Sequence, residues 1–275
     1  MTDPPAPGPA APTEATSGTL HLLRDGQLEV VGRLVDASNA TLFCRVRAGD
    51  VSADCVYKPV AGERPLWDFP EGTLGRREVA AYLLATASGW PLVPPTVWRP
   101  GGPFGPGMCQ LWVEEQPRRL VDVVPAGAVP RGWRHVLDAR GPGGREVSLV
   151  HADDPRLRRM AVLDAVLNNA DRKGGHVLCG PEDAVFGVDH GVCFHVEDKL
   201  RTVLWGWAGE PLDPELTRGL RRLWRALTGR LGGRLRDLLH PEEVTATTAR
   251  LEGLLAAGTF PLPGTGWPAI PWPAI

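Results

Sequence analysis

The sequence predicts an α+β protein in which a small, β-rich N-terminal part precedes a larger, mainly helical C-terminal part. Three observations carry that expectation. Short β-like runs follow one another over residues 26–57, and apolar residues recur at helical spacing from residue 155 onward. Within residues 164–191, an apolar helix runs into a polar loop holding Asp171, Arg172 and His176. A short strand follows, and a second loop presents Asp189 before Gly191.

Composition narrows the class. With 275 residues, 43% hydrophobic and 23% charged, the chain resembles a globular protein with ample core. A net charge of −2 argues against a nucleic-acid binder that relies on a broad basic field. No apolar run approaches the roughly 20 residues of a membrane span, and the N-terminus lacks a basic-then-apolar signal, so a cytoplasmic location is expected. Cys44, Cys55, Cys109, Cys179 and Cys193 form no CxxC pair and read as reduced, mostly buried thiols. Of 30 Lys+Arg, only Lys58, Lys173 and Lys199 are lysine. A lysine kept in so arginine-biased a chain points to a need for a compact ammonium that a guanidinium fork cannot supply.

Taken in order, residues 1–18 are Pro-, Ala- and Thr-rich with little to bury and are expected to form a disordered tail. Residues 19–115 make the N-terminal lobe, a nucleotide roof. Strands over 26–35, 41–46 and 54–57 form an antiparallel meander, and a helix with a polar start covers 76–84. Residues 91–100 are turn-rich, 101–107 form a hairpin tip, and 108–113 are a buried strand that exits into a linker. Residues 116–258 make the C-terminal lobe. There Asp153-Asp154-Pro155 starts a helix whose Leu157, Met160, Leu163 and Leu167 form one buried stripe. Helices follow over 214–227, 231–239 and 241–256. Residues 259–275 are a Pro/Trp-rich tail repeating Trp-Pro-Ala-Ile. It is extended, and either docks by its tryptophans, offering a contact to a protein partner, or stays loose.

The chemistry follows from two acidic residues on consecutive loops around a hairpin. In phosphoryl transfer a base orients the attacking hydroxyl while a carboxylate holds a divalent metal against the phosphates. Asp171 suits the base and Asp189 the metal carboxylate. His176, five residues after Asp171, stands where such enzymes carry an asparagine as second metal ligand. Neutral imidazole ligates divalent ions, preferring softer ones than magnesium. Lys173 would sit near the transferring phosphate. Lys58, closing the third strand, would reach the α/β-phosphates, and Glu78 would pair with it and orient it. The turn at Ser38-Asn39 would aim backbone and side-chain donors at phosphate oxygens. Trp112 and Val113, at the strand exit, would offer backbone groups to the adenine edge. The competing expectation for each is ordinary: a strand-end or loop lysine in water, a solvent-facing glutamate.

Ala170-Asp171-Arg172-Lys173-Gly174-Gly175-His176 resembles the Asp-Arg-x-x-x-Asn catalytic loop of the phosphatidylinositol 3- and 4-kinase-like superfamily. Val188-Asp189-His190-Gly191 resembles its metal-binding Asp-x-Gly. Val56-Tyr57-Lys58-Pro59 resembles the lysine strand of the type II phosphatidylinositol 4-kinases. Trp205-Gly206-Trp207 after Lys199-Leu200-Arg201 is similar to the segment following the metal loop in that branch. The likeness is to an uncharacterised actinobacterial branch, loose over residues 30–210 and specific over 168–191. It implies a two-lobed protein-kinase-like fold, ATP, Mg2+ or Mn2+, and an acceptor that is a lipid head group, a small molecule or a protein. Two other readings stand beside it. One is a pseudokinase acting as a nucleotide-binding regulatory module; the other is a metal-dependent hydrolase using Asp171, His176, Asp189 and His190.

Overall fold

The computed structural model describes residues 14–34, 39–266 and 268–275. Its first element is a helix, α1 (Glu14–Asp25), so the expected disordered tail is corrected over residues 14–18, while 1–13 lie outside the described residues. Tertiary contact explains the helix. Leu22 and Leu23 are buried against the following sheet, and Arg99 donates to Leu23 O at 2.5 Å and Gly26 O at 2.8 Å, satisfying carbonyls at the helix end.

Burial alternates along residues 42–46 and 55–59, two adjoining strands of the first sheet. β1 (Gln27–Arg33), β2 (Leu42–Ala48) and β3 (Val51–Pro59) run as an antiparallel meander. Residues 60–73 then lead into α2 (Leu74–Ser88), and β4 (Thr96–Arg99) and β5 (Gly107–Leu111) complete the sheet in the order β1-β2-β3-β5-β4. The expected turn-rich stretch 91–100 therefore contains a strand, and 101–106 is its hairpin tip. Gly107 is required where β5 meets β3, because a Cβ there would lie 2.4 Å from Lys58 O. Leu42, Cys44, Val46, Cys55, Tyr57 and Cys109 fill a small core under α1. All five cysteines are free and buried.

A second, larger core joins the buried face of α2 to the rest of the chain. β6 (Val121–Pro125), β7 (Trp133–Arg140) and β8 (Glu146–Ala152) form an antiparallel sheet of order β6-β8-β7. Next comes α3 (Pro155–Leu167), capped by the Asp154 carboxylate, which accepts from Arg156 N at 2.8 Å, and ended by Asn168 in the left-handed region at φ 53°. Leu157, Met160, Leu163 and Leu167 are all buried, as their spacing predicts. Truncating any one to alanine is expected to cost about 2–5 kcal/mol. The hairpin of β9 (Val177–Cys179) and β10 (Val185–Gly187) follows, then α4 (Pro214–Leu227), α5 (Arg230–Arg236) and α6 (Pro241–Ala257). Among the described residues no helix is long and apolar enough to cross a membrane.

The tail docks through backbone carbonyls and through Ile270 and Ala274, which pack against the larger core. Ala269 O accepts from Thr202 N at 3.0 Å and from the Trp205 indole at 2.9 Å, and Ala274 O accepts from Gly174 N at 2.8 Å. Trp272 is 87% exposed, and Trp267 lies outside the described residues.

His151, on β8, is fully buried against Trp207 with its Nε2 accepting from Gly206 N at 3.0 Å and its Nδ1 donating to Ala152 O at 3.0 Å. Burial pushes its pKa down to about 4, so the folded chain holds it neutral. Its contribution is fully present above the unfolded value near 6.5 and is lost as pH falls towards 4, amounting at most to about 3 kcal/mol. Urea unfolding at pH 7 and pH 4.5 should show this loss, and a smaller one in His151→Gln.

Candidate functional site

Asp164, in the last turns of α3, is fully buried and sets the geometry of the loop that follows. Its carboxylate accepts the Asn169 amide at 2.9 Å and a bidentate pair from Arg172, Nε at 2.9 Å and a terminal nitrogen at 3.0 Å. The other guanidinium donors of Arg172 reach His176 O at 3.0 Å, Val188 O at 3.0 Å and His190 Nε2 at 2.7 Å. Every N–H of a buried arginine is thereby used, and each bond fixes a different piece of loop. Asn169 Oδ1 in turn accepts from Asp171 N at 3.0 Å. The loop therefore presents the Asp171 carboxylate, one-third exposed, to a cleft, with Lys173 Nζ 3.1 Å from it.

The second loop arrives opposite. Asp189 sits in the left-handed region at φ 58°, a conformation aspartate tolerates better than most residues. One of its oxygens bonds Lys58 Nζ, and the other lies 3.5 Å from His176 Nε2. Lys58 also donates to Glu78 Oε1 at 2.8 Å, so β3, α2 and the loop after β10 meet in one ammonium. Burial works to lower the Lys58 pKa, but Asp189 and Glu78 together hold it well above the usual lysine value. Lys58 keeps the Asp189 carboxyl well below the usual carboxylate range. Glu78 is more deeply buried, and desolvation pushes it up to about 7 against the pull of Lys58. Its Oε2 is buried with no hydrogen-bond partner.

His176 has a defined tautomer. Its Nδ1 lies 2.8 Å from Asp171 O, which can only accept, so Nδ1 carries the proton. Desolvation lowers the His176 pKa, with Asp189 opposing, and the neutral ring turns the Nε2 lone pair toward an Asp189 oxygen. Two acceptors facing each other across 3.5 Å suit a cation held between them. Among the described residues no group of three or more His, Cys, Asp or Glu side chains could hold a metal ion. A divalent ion held by this pair would need its remaining ligands from outside these side chains.

Asp171, Lys173, His176, Asp189, Lys58, Glu78 and Asn39 all line one cleft of about 630 Å3. Asn39 is partly committed, because its Oδ1 accepts from Arg64 N at 2.8 Å. Ser38 lies outside the described residues. Trp112 and Val113 depart from expectation: neither borders the cleft. Trp112 N donates to Asp54 O at 3.0 Å, continuing the β3–β5 ladder past the strand end, and its ring packs edge-on against Phe43 at 4.9 Å.

Sequence reasoning missed the loop between β3 and α2. Glu63, Arg64, Leu66, Trp67, Asp68 and Phe69 line the cleft, and Glu63 caps α2 by accepting from Leu74 N at 3.1 Å and Gly75 N at 2.9 Å. Asp68 binds the buried Lys199 ammonium at 2.7 Å, tying this loop to the segment beyond Asp189. The rarity of lysine was the available signal for Lys199; nothing in the sequence marked its partner.

No family model matches the chain. It is 51% identical over 264 residues to the curated Protein Rv2133c of Mycobacterium tuberculosis (strain ATCC 25618 / H37Rv), covering 92% of this chain and 94% of that protein.

The Asp164–Arg172 pair yields a stability prediction. Asp164→Asn removes the counter-charge of a buried guanidinium, which is expected to cost about 3–5 kcal/mol. Denaturant melts read the loss directly, and a cost below about 1 kcal/mol would show that water reaches Arg172.

Proposed function

The chain belongs to the family of that mycobacterial protein, and we propose that it is an ATP-dependent phosphotransferase of two-lobed, protein-kinase-like build that works with a divalent metal. The observation that carries this reading is the ammonium of Lys58, on the third strand of a five-stranded antiparallel sheet, shared between Glu78 of the following helix and Asp189 of a loop far along the chain. Phosphoryl-transfer enzymes use such a lysine–glutamate pair to steady a cation over the phosphates, with an acidic metal ligand beneath it. In this reading the sheet with α1 and α2 is the nucleotide roof, and α3 to α6 with the small sheets are the other lobe.

Each side chain then has a role. Lys58 donates to phosphate oxygens, and Glu78 keeps its extended reach. Asp171 accepts the proton of the attacking hydroxyl on a lipid head group, small molecule or protein. Lys173, which bonds Asp171, neutralises charge at the transferred group. Asp189 and His176 Nε2 would hold the metal, whose chemistry is to offset phosphate charge. Arg172 orients both loops without touching substrate.

Transfer or hydrolysis of γ-labelled ATP with Mn2+ or Mg2+ tests this. Asp189→Asn and Asp171→Asn should each lower turnover by about 100-fold or more. Asp189→Asn should also abolish metal-dependent nucleotide binding seen by calorimetry. His176→Asn should move the preferred metal from Mn2+ toward Mg2+. Nucleotide binding without turnover on any acceptor would favour the regulatory-module reading, and loss of neither binding nor turnover in the two aspartate variants would refute the proposal.

A further inference from the structure

Residues 216–236 hold seven arginines and no aspartate or glutamate, in a chain whose net charge is −2. The rest of the molecule is therefore acidic, and positive charge gathers on α4 and α5. On α4 the stripe Leu216, Leu220, Leu223 and Leu227 is buried, and Arg218, Arg221 and Arg225 fall on the opposite side of the helix. These three, with Arg230, Arg234 and Arg236 on α5, are exposed, and none makes an ion pair among the described residues. Asp237, which follows Arg236 at the end of α5, is exposed, whereas the other flanking acids are committed, Asp213 as the cap of α4. Glu215 pairs with Arg159 at 2.6 Å, and Glu252 accepts the Trp224 indole at 3.0 Å. Like charges three and four residues apart weaken a helix, so α4 carries a strain that an external anion would relieve.

We propose that the α4–α5 face docks on an anionic phospholipid surface, its guanidinium groups bonding lipid phosphates. The guanidinium fork matches phosphate oxygens in pairs. Arginines exposed on two consecutive short helices offer several phosphate contacts at once, and Trp224, 38% exposed, has the amphipathic ring favoured at a lipid–water boundary. The acidic remainder is repelled by the same surface, which orients the molecule, and it disfavours wrapping by a nucleic acid.

Sedimentation of the full chain with vesicles tests the proposal, comparing pure phosphatidylcholine with mixtures containing phosphatidylglycerol. Binding is expected to the anionic vesicles alone and to fall steeply with added salt. Replacing Arg218, Arg221 and Arg225 by Gln should weaken it by about tenfold or more, while Lys at the same positions should retain most of it. The set Arg230→Gln, Arg234→Gln and Arg236→Gln gives an independent reading should the first variant fail to fold. Equal binding to neutral vesicles, no vesicle binding, undiminished binding by the folded Gln variants, or tighter binding to duplex DNA would each overturn the proposal.

Discussion

The geometry of the cleft rests on one buried guanidinium. Arg172 has five N–H donors, and the structure uses all of them: two on Asp164, two on the carbonyls of His176 and Val188, one on the ring of His190. A buried arginine is stable only when fully paired, so these partners are mutually obligatory. Helix α3, the loop after it and the loop after β10 are thereby held in a single register. The distance between Asp171 and Asp189 follows from that register.

A second constraint is electrostatic. One lysine faces two carboxylates, and its charge is divided unequally between them. Asp189 takes the larger share and stays ionised, while burial raises the Glu78 pKa to about 7. The sheet and the later loop are thus joined through a group that also lines the cleft. Any anion entering there competes for the same ammonium, so occupancy of the cleft and the join between its walls are energetically linked.

What the sequence revealed follows the strength of local signals. Lys58, Glu78, Asp171 and Asp189 were legible because each stands at a fixed offset from a periodic segment: a strand end, a helix start, a helix end, a hairpin end. The Asp154-Pro155 helix start was legible through short-range backbone chemistry. α1 was not, because its stability comes from Arg99 and the sheet, which no window of that stretch contains. The same holds for the loop from 60 to 73, whose Asp68 finds its partner 131 positions away. Trp112 misled for a related reason: its N–H is already spent on Asp54 O, a partner outside its own stretch of chain.

The docked tail has a consequence for how freely its own residues can drift. What it lends to the loop at Gly174 and to the segment at Thr202 and Trp205 is a pair of carbonyl oxygens, and every residue type carries one. The tryptophan at 272 stands in water and contributes nothing to that bonding. The side chain at 272 can therefore change while the stretch continues to brace its neighbours, provided that Ile270 and Ala274 keep their contact with the larger core and the path of the main chain is unchanged.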